Sequence, residues 1–347
     1  MAVLVHQDRF IYHGRRISYV EYGSGSRVLV LTHGLLMDRR MYDRVAPAVA
    51  ARGFRVICVD MLGHGDSDQP HDMTAYSMQQ FGRDVIALLD HLGVRDAVIG
   101  GTSLGANVAL EAVAFAPARV SGLVLEMPVL ENALPAAAAA FVPLALSLRL
   151  SHRLMGALAA VTRRIPRTVF LVDLMLDFVR RDPRASLAVL DGLIFGRVAP
   201  PIEDRRAITQ PTLVIGHPSD PIHPFSDADR IARELPDAQL VRAHSIYEWR
   251  TRPGAPHQRA RRVPRPRVFA RTGFARARSR VTRPRHVQSD HVQEVQASEL
   301  GRLRCPRRDG ARPRPPSRSL SVPQRGREER GPRRVFSGLV RRLTESV

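Results

Sequence analysis

The stretch "GGTSLGANVAL" (residues 100–110) places a serine between glycines where one residue pattern gives way to another. The residues just before it, 97–99, are apolar and suited to a buried strand, whereas the residues after Ser103 have helical spacing. Residues 101–105 fit the pattern Gly-x-Ser-x-Gly, which between a strand and a helix is typical of a tight turn that exposes the serine hydroxyl. We therefore predict a nucleophile elbow centred on Ser103.

The sequence around this turn alternates short β-branched runs with longer helical patterns. Such alternation predicts an α/β fold, with a mostly parallel central sheet and helices on both faces. From about 129 to 208 only helical patterns occur, which predicts a helical cap inserted between two strands of a single domain spanning 1–248. The predicted strands are 27–33, 55–60, 96–100, 121–128, 211–216 and 238–243, the predicted helices are 76–93 and 104–117, and residues 10–23 are predicted to form an antiparallel hairpin.

The net charge of +20 is confined to the C-terminal part of the chain. Residues 1–248 contain 26 arginines and 26 acidic residues, whereas residues 249–347 contain 27 arginines and seven acidic residues. The segment 249–347 is rich in arginine and proline and has no lasting helical or strand period, so we expect a low-order tail. The absence of lysine from the whole chain also fits a GC-rich reading frame, so this tail can derive from a frameshift.

Three further motifs, together with the elbow, give the chain a resemblance to the α/β-hydrolase family over residues 10–248. They are "THGLLMD" (32–38), "DMLGHGDSD" (60–68) and "PTLVIGHPSDPIHP" (211–224). The resemblance implies that Ser103 is a nucleophile and that Asp220 is the acid of a catalytic triad.

The same resemblance assigns roles to the other two motifs. The amides of Leu35 and Leu104 are expected to form the oxyanion hole. The loop 60–68 is structural in the family, so His64 is not expected to be catalytic.

The histidine of the triad stays open between two residues. The family places it after the last strand, which favours His244 in "VRAHSIYEW", although the loop before it is about four residues short. Its rival is His223 in "DPIHP", three residues after Asp220. We interpret His217 as structural and keep Glu126, which follows a predicted strand, as an alternative acid.

The resemblance predicts a serine hydrolase that cleaves a carboxylic ester or related acyl compound through an acyl-enzyme. Serine rather than aspartate at the elbow disfavours the epoxide hydrolase and haloalkane dehalogenase branches of the family. The first alternative is a catalytically impaired protein of the same fold, because no final helix is recognisable in 249–347. The second alternative is nucleic-acid binding through the arginine-rich tail, with no sequence-specific recognition expected.

The remaining expectations concern ligands and location. The sequence indicates no metal and no organic cofactor, and the expected partner is a small-molecule acyl substrate. Two cysteines in 347 residues form no disulfide framework, which favours a cytoplasmic protein. The apolar run 133–148 contains two prolines and is short for a membrane span, so we expect a cap helix there. The oligomeric state stays open.

Overall fold

The central sheet is seen in a computed structural model that describes residues 4–165, 176–177, 179–243 and 261–262. Nine strands in these residues are ordered β1-β2-β4-β3-β5-β6-β7-β8-β9. The pairs β1–β2, β2–β4 and β8–β9 are antiparallel, and the other neighbouring pairs are parallel. The strands are β1 Val5–Tyr12, β2 Arg15–Tyr22, β3 Arg27–Thr32, β4 Phe54–Asp60, β5 Ala97–Thr102, β6 Val120–Glu126, β7 Thr212–Gly216, β8 Ala238–Arg242 and β9 Arg261–Arg262.

Helices connect the parallel strands and build the cap. Single 3-10 turns at Arg39–Tyr42, Met73–Ala75, Pro117–Arg119 and Glu131–Ala133 join the longer elements. The α-helices of the described residues that carry the argument below are α1 Val45–Ala50, α2 Met78–His91, α3 Leu104–Phe115, α4 Leu134–Leu150, α5 His152–Thr162, α6 Pro183–Ile194, α7 Ile202–Ala207 and α8 Phe225–Glu234.

Alternate residues of each parallel strand enter two different apolar layers. In β5, Val98 joins the layer that contains α1, whereas Ile99 joins the layer that contains α2 and α3. This alternation follows from the two-residue period of a strand. Because both faces of the sheet are covered, the central strands are mainly apolar. The strands β5, β6 and β7 are parallel, so their carboxyl ends lie along one edge of the sheet.

The predicted fold class is confirmed. Each of the six strands predicted from apolar runs is present within two residues of its expected bounds, as are the two predicted helices. The predicted hairpin is β1–β2, whose turn places His13 and Gly14 at positive φ (49° and 71°), as hairpin turns of two residues require.

The cap prediction also holds, with one correction. The helical segment Glu131–Leu150 is 20 residues long, and by length and composition alone it could cross a membrane; only 17% of its most apolar stretch is buried. The run 133–148 therefore belongs to a longer apolar segment than the sequence indicated. Of the tail 249–347, only β9 falls within the described residues, so the expectation of low order lies outside them.

Candidate active site

Ser103 lies at a sharp turn between β5 and α3. Its backbone has φ 54° and ψ −112°, a conformation that is strained for a residue with a side chain. The Ser103 N–H donates to the carbonyl oxygen of Glu126 at 2.8 Å, which fixes the turn against the end of β6. The serine hydroxyl is therefore held at the carboxyl edge of the sheet, directly before the first turn of a helix.

The two glycines of the motif are required because the turn packs against β3. A Cβ on Gly101 would lie 2.5 Å from the Thr32 carbonyl oxygen, far inside van der Waals contact. A Cβ on Gly105 would overlap the same carbonyl oxygen even more closely. The two glycines of Gly-x-Ser-x-Gly are therefore needed because the turn lies too close to the neighbouring strand to leave room for a Cβ.

A hydrogen-bonded chain connects Ser103 to a histidine and an aspartate. Ser103 Oγ lies 2.7 Å from His223 Nε2, and His223 Nδ1 lies 3.0 Å from Asp220 Oδ1. Both distances are within hydrogen-bond range. The order hydroxyl, imidazole, carboxylate is the arrangement in which a base activates a serine and a carboxylate orients the base.

The aspartate and the histidine belong to one loop, between β7 and α8. Asp220 Oδ1 accepts the backbone N–H of Ile222 at 2.8 Å and that of His223 at 2.7 Å, in addition to the His223 ring. Burial raises the pKa of the Asp220 carboxyl, but the hydrogen bonds from the His223 ring and from these two amides outweigh it, so the pKa is lowered overall. Asp220 is therefore a carboxylate near neutral pH.

The loop after β3 carries the Leu35 amide and is fixed by two buried histidines. His33 Nε2 accepts the Met61 N–H at 3.0 Å, and His64 Nε2 accepts the Leu36 N–H at 3.2 Å. Burial lowers the pKa of His33 to about 4 and the pKa of His64 well below its usual value. Neutral imidazoles can accept these amide hydrogens, so both rings hold the loop in place.

The two residues whose amides are expected in the oxyanion hole are both close to Ser103, one through the cavity and one along the chain. Leu35 lines the same cavity as Ser103, and Leu104 is the first residue of α3. Within the described chain neither amide N–H donates a hydrogen bond to another protein group. The first amides of a helix have no intrahelical partner and carry partial positive charge, so the Leu104 N–H suits a developing oxyanion.

A second carboxyl–histidine pair lies beneath the turn. Glu126 Oε1 is 3.1 Å from His217 Nε2, and both side chains are buried. The Thr102 hydroxyl hydrogen-bonds to the other oxygen of Glu126. Glu126, the alternative acid of the sequence analysis, therefore contacts His217, whereas the histidine at Ser103 contacts Asp220.

The cavity at Ser103 has a volume of about 520 Å³ and is mainly apolar. Its polar side is formed by Ser103, His217, Asp220 and His223. One wall comes from the cap, since Phe141 of α4 lines it. Apolar side chains that also line the cavity are Leu35, Met37, Met127 and Ile222.

A larger cavity, of about 750 Å³, contains none of these reactive groups. It lies where the cap meets the loops after β3 and β4, and arginine and aspartate side chains line it. Arg40 pairs with Asp38 and Asp177 at 2.5 and 3.0 Å, so much of the charge in this cavity is compensated internally. We place the candidate site at the smaller cavity because Ser103 and its hydrogen-bonded histidine lie there.

The geometry thus brings Ser103, Asp220 and His223 together, whereas His244 lies outside the described residues. Sequence reasoning ranked His223 second because the family usually supplies this histidine from a later loop. The spacing Asp-Pro-x-His carried the missing signal, since a carboxylate that accepts the amides two and three residues later brings the ring of the third residue close.

Comparison with known proteins identifies the class. The sequence profile of the alpha/beta hydrolase fold family matches residues 27–245. The chain therefore belongs to the alpha/beta hydrolase fold family.

Individual relatives match shorter parts of the chain. The bifunctional epoxide hydrolase 2 of Sus scrofa is 35% identical over 119 residues, which cover 34% of this chain and 21% of that protein. A putative non-heme haloperoxidase of Mycobacterium phage D29 is 31% identical over 120 residues, covering 35% of this chain and 42% of that protein. The chain thus spans less than half the length of either relative.

Solved structures share the fold over most of the described residues. The enol-lactonase from Burkholderia xenovorans LB400 is 23% identical, with a TM-score of 0.56, and the match covers 68% of this chain and 91% of that one. Est816, an N-acyl homoserine lactone degrading enzyme, is 23% identical with a TM-score of 0.55, and the match covers 70% of this chain and 95% of that one. At this identity the likeness concerns the fold.

Proposed function

We propose that this protein is a serine hydrolase that cleaves carboxylic esters or related acyl compounds, with Ser103, His223 and Asp220 as its triad. The observation that carries the proposal is the continuous hydrogen-bonded chain from Ser103 Oγ to Asp220 Oδ1. Membership of the hydrolase fold family and the two lactone-cleaving structural neighbours support the same reaction class.

The first half of the reaction forms an acyl-enzyme. His223 Nε2 takes the proton of Ser103 as Oγ attacks the substrate carbonyl, and Asp220 stabilises the imidazolium that results. The Leu35 and Leu104 amides donate to the oxyanion. His223 then gives the proton to the departing alcohol.

The second half releases the acid. His223 takes a proton from water, which attacks the acyl carbonyl, and the proton returns to Ser103 Oγ as the ester bond to the serine breaks. The cavity walls from Met37, Met127 and Phe141 favour an apolar acyl or alcohol group. Serine at the elbow supports ester cleavage over the epoxide chemistry named for some relatives.

Labelling with a fluorophosphonate probe tests the nucleophile and its base together. We expect covalent modification at Ser103 in the full chain and none in Ser103→Ala. His223→Asn is expected to lower the labelling rate and the hydrolysis of p-nitrophenyl esters by about 10³-fold or more, because the serine loses its base. The matched control is His244→Asn, which should retain activity; a severe loss there, with His223→Asn active, would refute the assignment.

We also propose a cytoplasmic location. It is supported by the low cysteine content and by Cys58, which is a buried free thiol in β4. Cell fractionation tests it, and recovery of the protein in an oxidising compartment would contradict it.

A further inference from the structure

The cap carries an unusual concentration of exposed apolar side chains. Of the fifteen large apolar residues that are exposed in the described part of the chain, eight lie between residues 134 and 165. Exposed apolar residues scattered singly need no explanation, but a contiguous group marks an interaction surface. The eight residues are Leu134, Val142, Leu146, Leu150, Leu154, Leu158, Val161 and Ile165.

Six of these residues form two stripes, one along each of the helices α4 and α5. On α4, Val142, Leu146 and Leu150 are four residues apart, which places them on one face of the helix. The opposite side packs inward, because Ala145 and Leu148 are buried in a cluster with Leu36 and Leu190.

On α5, Leu154, Leu158 and Val161 repeat at spacings of four and three. Leu150 and Leu154, at the junction of the two helices, are 84% and 69% exposed. We call the six exposed residues of these two stripes the outer cap face.

The charge around the outer cap face has one sign. Residues 134–165 contain four arginines and no aspartate or glutamate. Arg149 pairs with Asp191 of α6 at 2.6 Å, whereas Arg153 and Arg164 are exposed and have no ion-pair partner in the part of the chain that the structure describes. An apolar face bordered by arginines is typical of helices that lie at a membrane surface.

We propose that the outer cap face docks on the surface of a bilayer that contains anionic lipid. The apolar stripes would enter the headgroup boundary, and the arginines would contact lipid phosphates. Charge complementarity favours lipid over a second copy of this chain, since pairing two such faces would bring arginines together without compensating acids. The inward side of α4 packs against α6 and the loop after β3, so α4 lies on the protein and contacts lipid from one side.

Any test must distinguish vesicle binding by the outer cap face from vesicle binding by the arginine-rich segment 249–347, which would also bind anionic vesicles electrostatically. We therefore use the full chain, vesicles of phosphatidylcholine with about 30 mol% phosphatidylglycerol, and about 0.5 M NaCl to screen the tail. The test variant is Leu150→Glu/Leu154→Glu. The matched control, Leu4→Glu/Ile11→Glu, adds the same charge at positions of β1 and its N-terminal flank that are 66% and 77% exposed.

We expect the wild type and the control to sediment with these vesicles, and the test variant to bind about tenfold more weakly or not at all. Equal sedimentation of all three proteins would overturn the proposal, as would failure of the wild type to bind. It would also be overturned if the wild type were a dimer in solution without lipid affinity and Leu150→Glu/Leu154→Glu made it monomeric. Thermal melts of both variants check that they fold.

A second variant reports insertion without adding charge. Leu154→Trp places an indole on the outer cap face, and brominated lipid should quench its fluorescence beyond the signal of the wild type, whose single tryptophan is Trp249. Quenching equal to that of the wild type would contradict insertion at this face.

Discussion

Asp220→Asn tests the acid of the proposed triad. The asparagine keeps the size of the side chain and can still accept the amides of Ile222 and His223. It has no charge, however, with which to stabilise the imidazolium that forms when Ser103 gives up its proton. His223 Nδ1 lies 3.0 Å from Asp220 Oδ1, so the centres of the imidazolium and carboxylate charges lie roughly 4 Å apart. At an effective dielectric constant of about 20, the attraction between these two charges is about 4 kcal/mol.

A loss of that size corresponds to a decrease in kcat of about 10³-fold. The assay is hydrolysis of a short-chain p-nitrophenyl ester across the neutral pH range, with kcat and KM determined separately. The control is Glu126→Gln, which neutralises the carboxylate paired with His217 and is expected to change kcat by less than about tenfold. The reasoning is refuted if Glu126→Gln causes the large loss and Asp220→Asn does not.

Asp220→Asn is also expected to change the pH dependence of protein stability in a defined direction. The folded-state pKa of Asp220 is lowered, so its carboxylate stabilises the fold above the unfolded pKa and this contribution is lost as pH falls through the folded value. The difference in melting temperature between wild type and Asp220→Asn should therefore be largest near neutral pH and shrink below about pH 4. A difference that grows in acid would contradict the lowered pKa.

Three further predictions concern the fold and the loops. Gly105→Ala should abolish soluble folded protein, because its Cβ would overlap the Thr32 carbonyl oxygen, whereas Gly156→Ala, in open space on α5, should leave the melting temperature unchanged or raised. Asp84→Asn should raise the free energy of unfolding by up to about 3 kcal/mol at neutral pH and leave it unchanged at pH 4, because burial raises the pKa of Asp84 to about 6. Urea unfolding at the two pH values measures this difference. Arg181→Ala should lower kcat with little change in KM, because Arg181 donates to the carbonyl oxygens of Leu36 and Met37 in the loop after β3, which carries the Leu35 amide proposed for the oxyanion hole. An unchanged kcat would contradict this.

The strands and the elbow could be predicted because their signals are local. Apolar β-branched runs fix the buried strands, and the glycines at 101 and 105 record a steric requirement that any such turn imposes. The helix α1 gave no comparable signal, since it has six residues and includes Pro47. It forms because Val45, Ala46 and Val49 are buried against the sheet, a tertiary effect that sequence periodicity does not report.

The sequence left the histidine of the triad open between His244 and His223, because the choice depends on which ring reaches Ser103 in the folded chain. His223 and His217 both follow β7, and both meet a carboxylate, Asp220 and Glu126 respectively. Only the turn at Asp220, in which one carboxylate oxygen accepts two successive amides, directs the His223 ring toward Ser103.

The proposed acid and base, Asp220 and His223, lie in the same loop. This placement bears on whether the chain needs its C-terminal segment for catalysis. Ser103 follows β5, and both Asp220 and His223 precede α8, so every atom of the proposed hydrogen-bonded chain comes from residues before β8. A triad that took its base from His244 would depend on how the chain continues after Arg242. The triad proposed here depends instead on the packing of β7 and α8, in which Gly216 leaves no room for a Cβ beside Phe225 and Ala228. A loss of the family's final helix would therefore lower stability more directly than it would disassemble the catalytic residues.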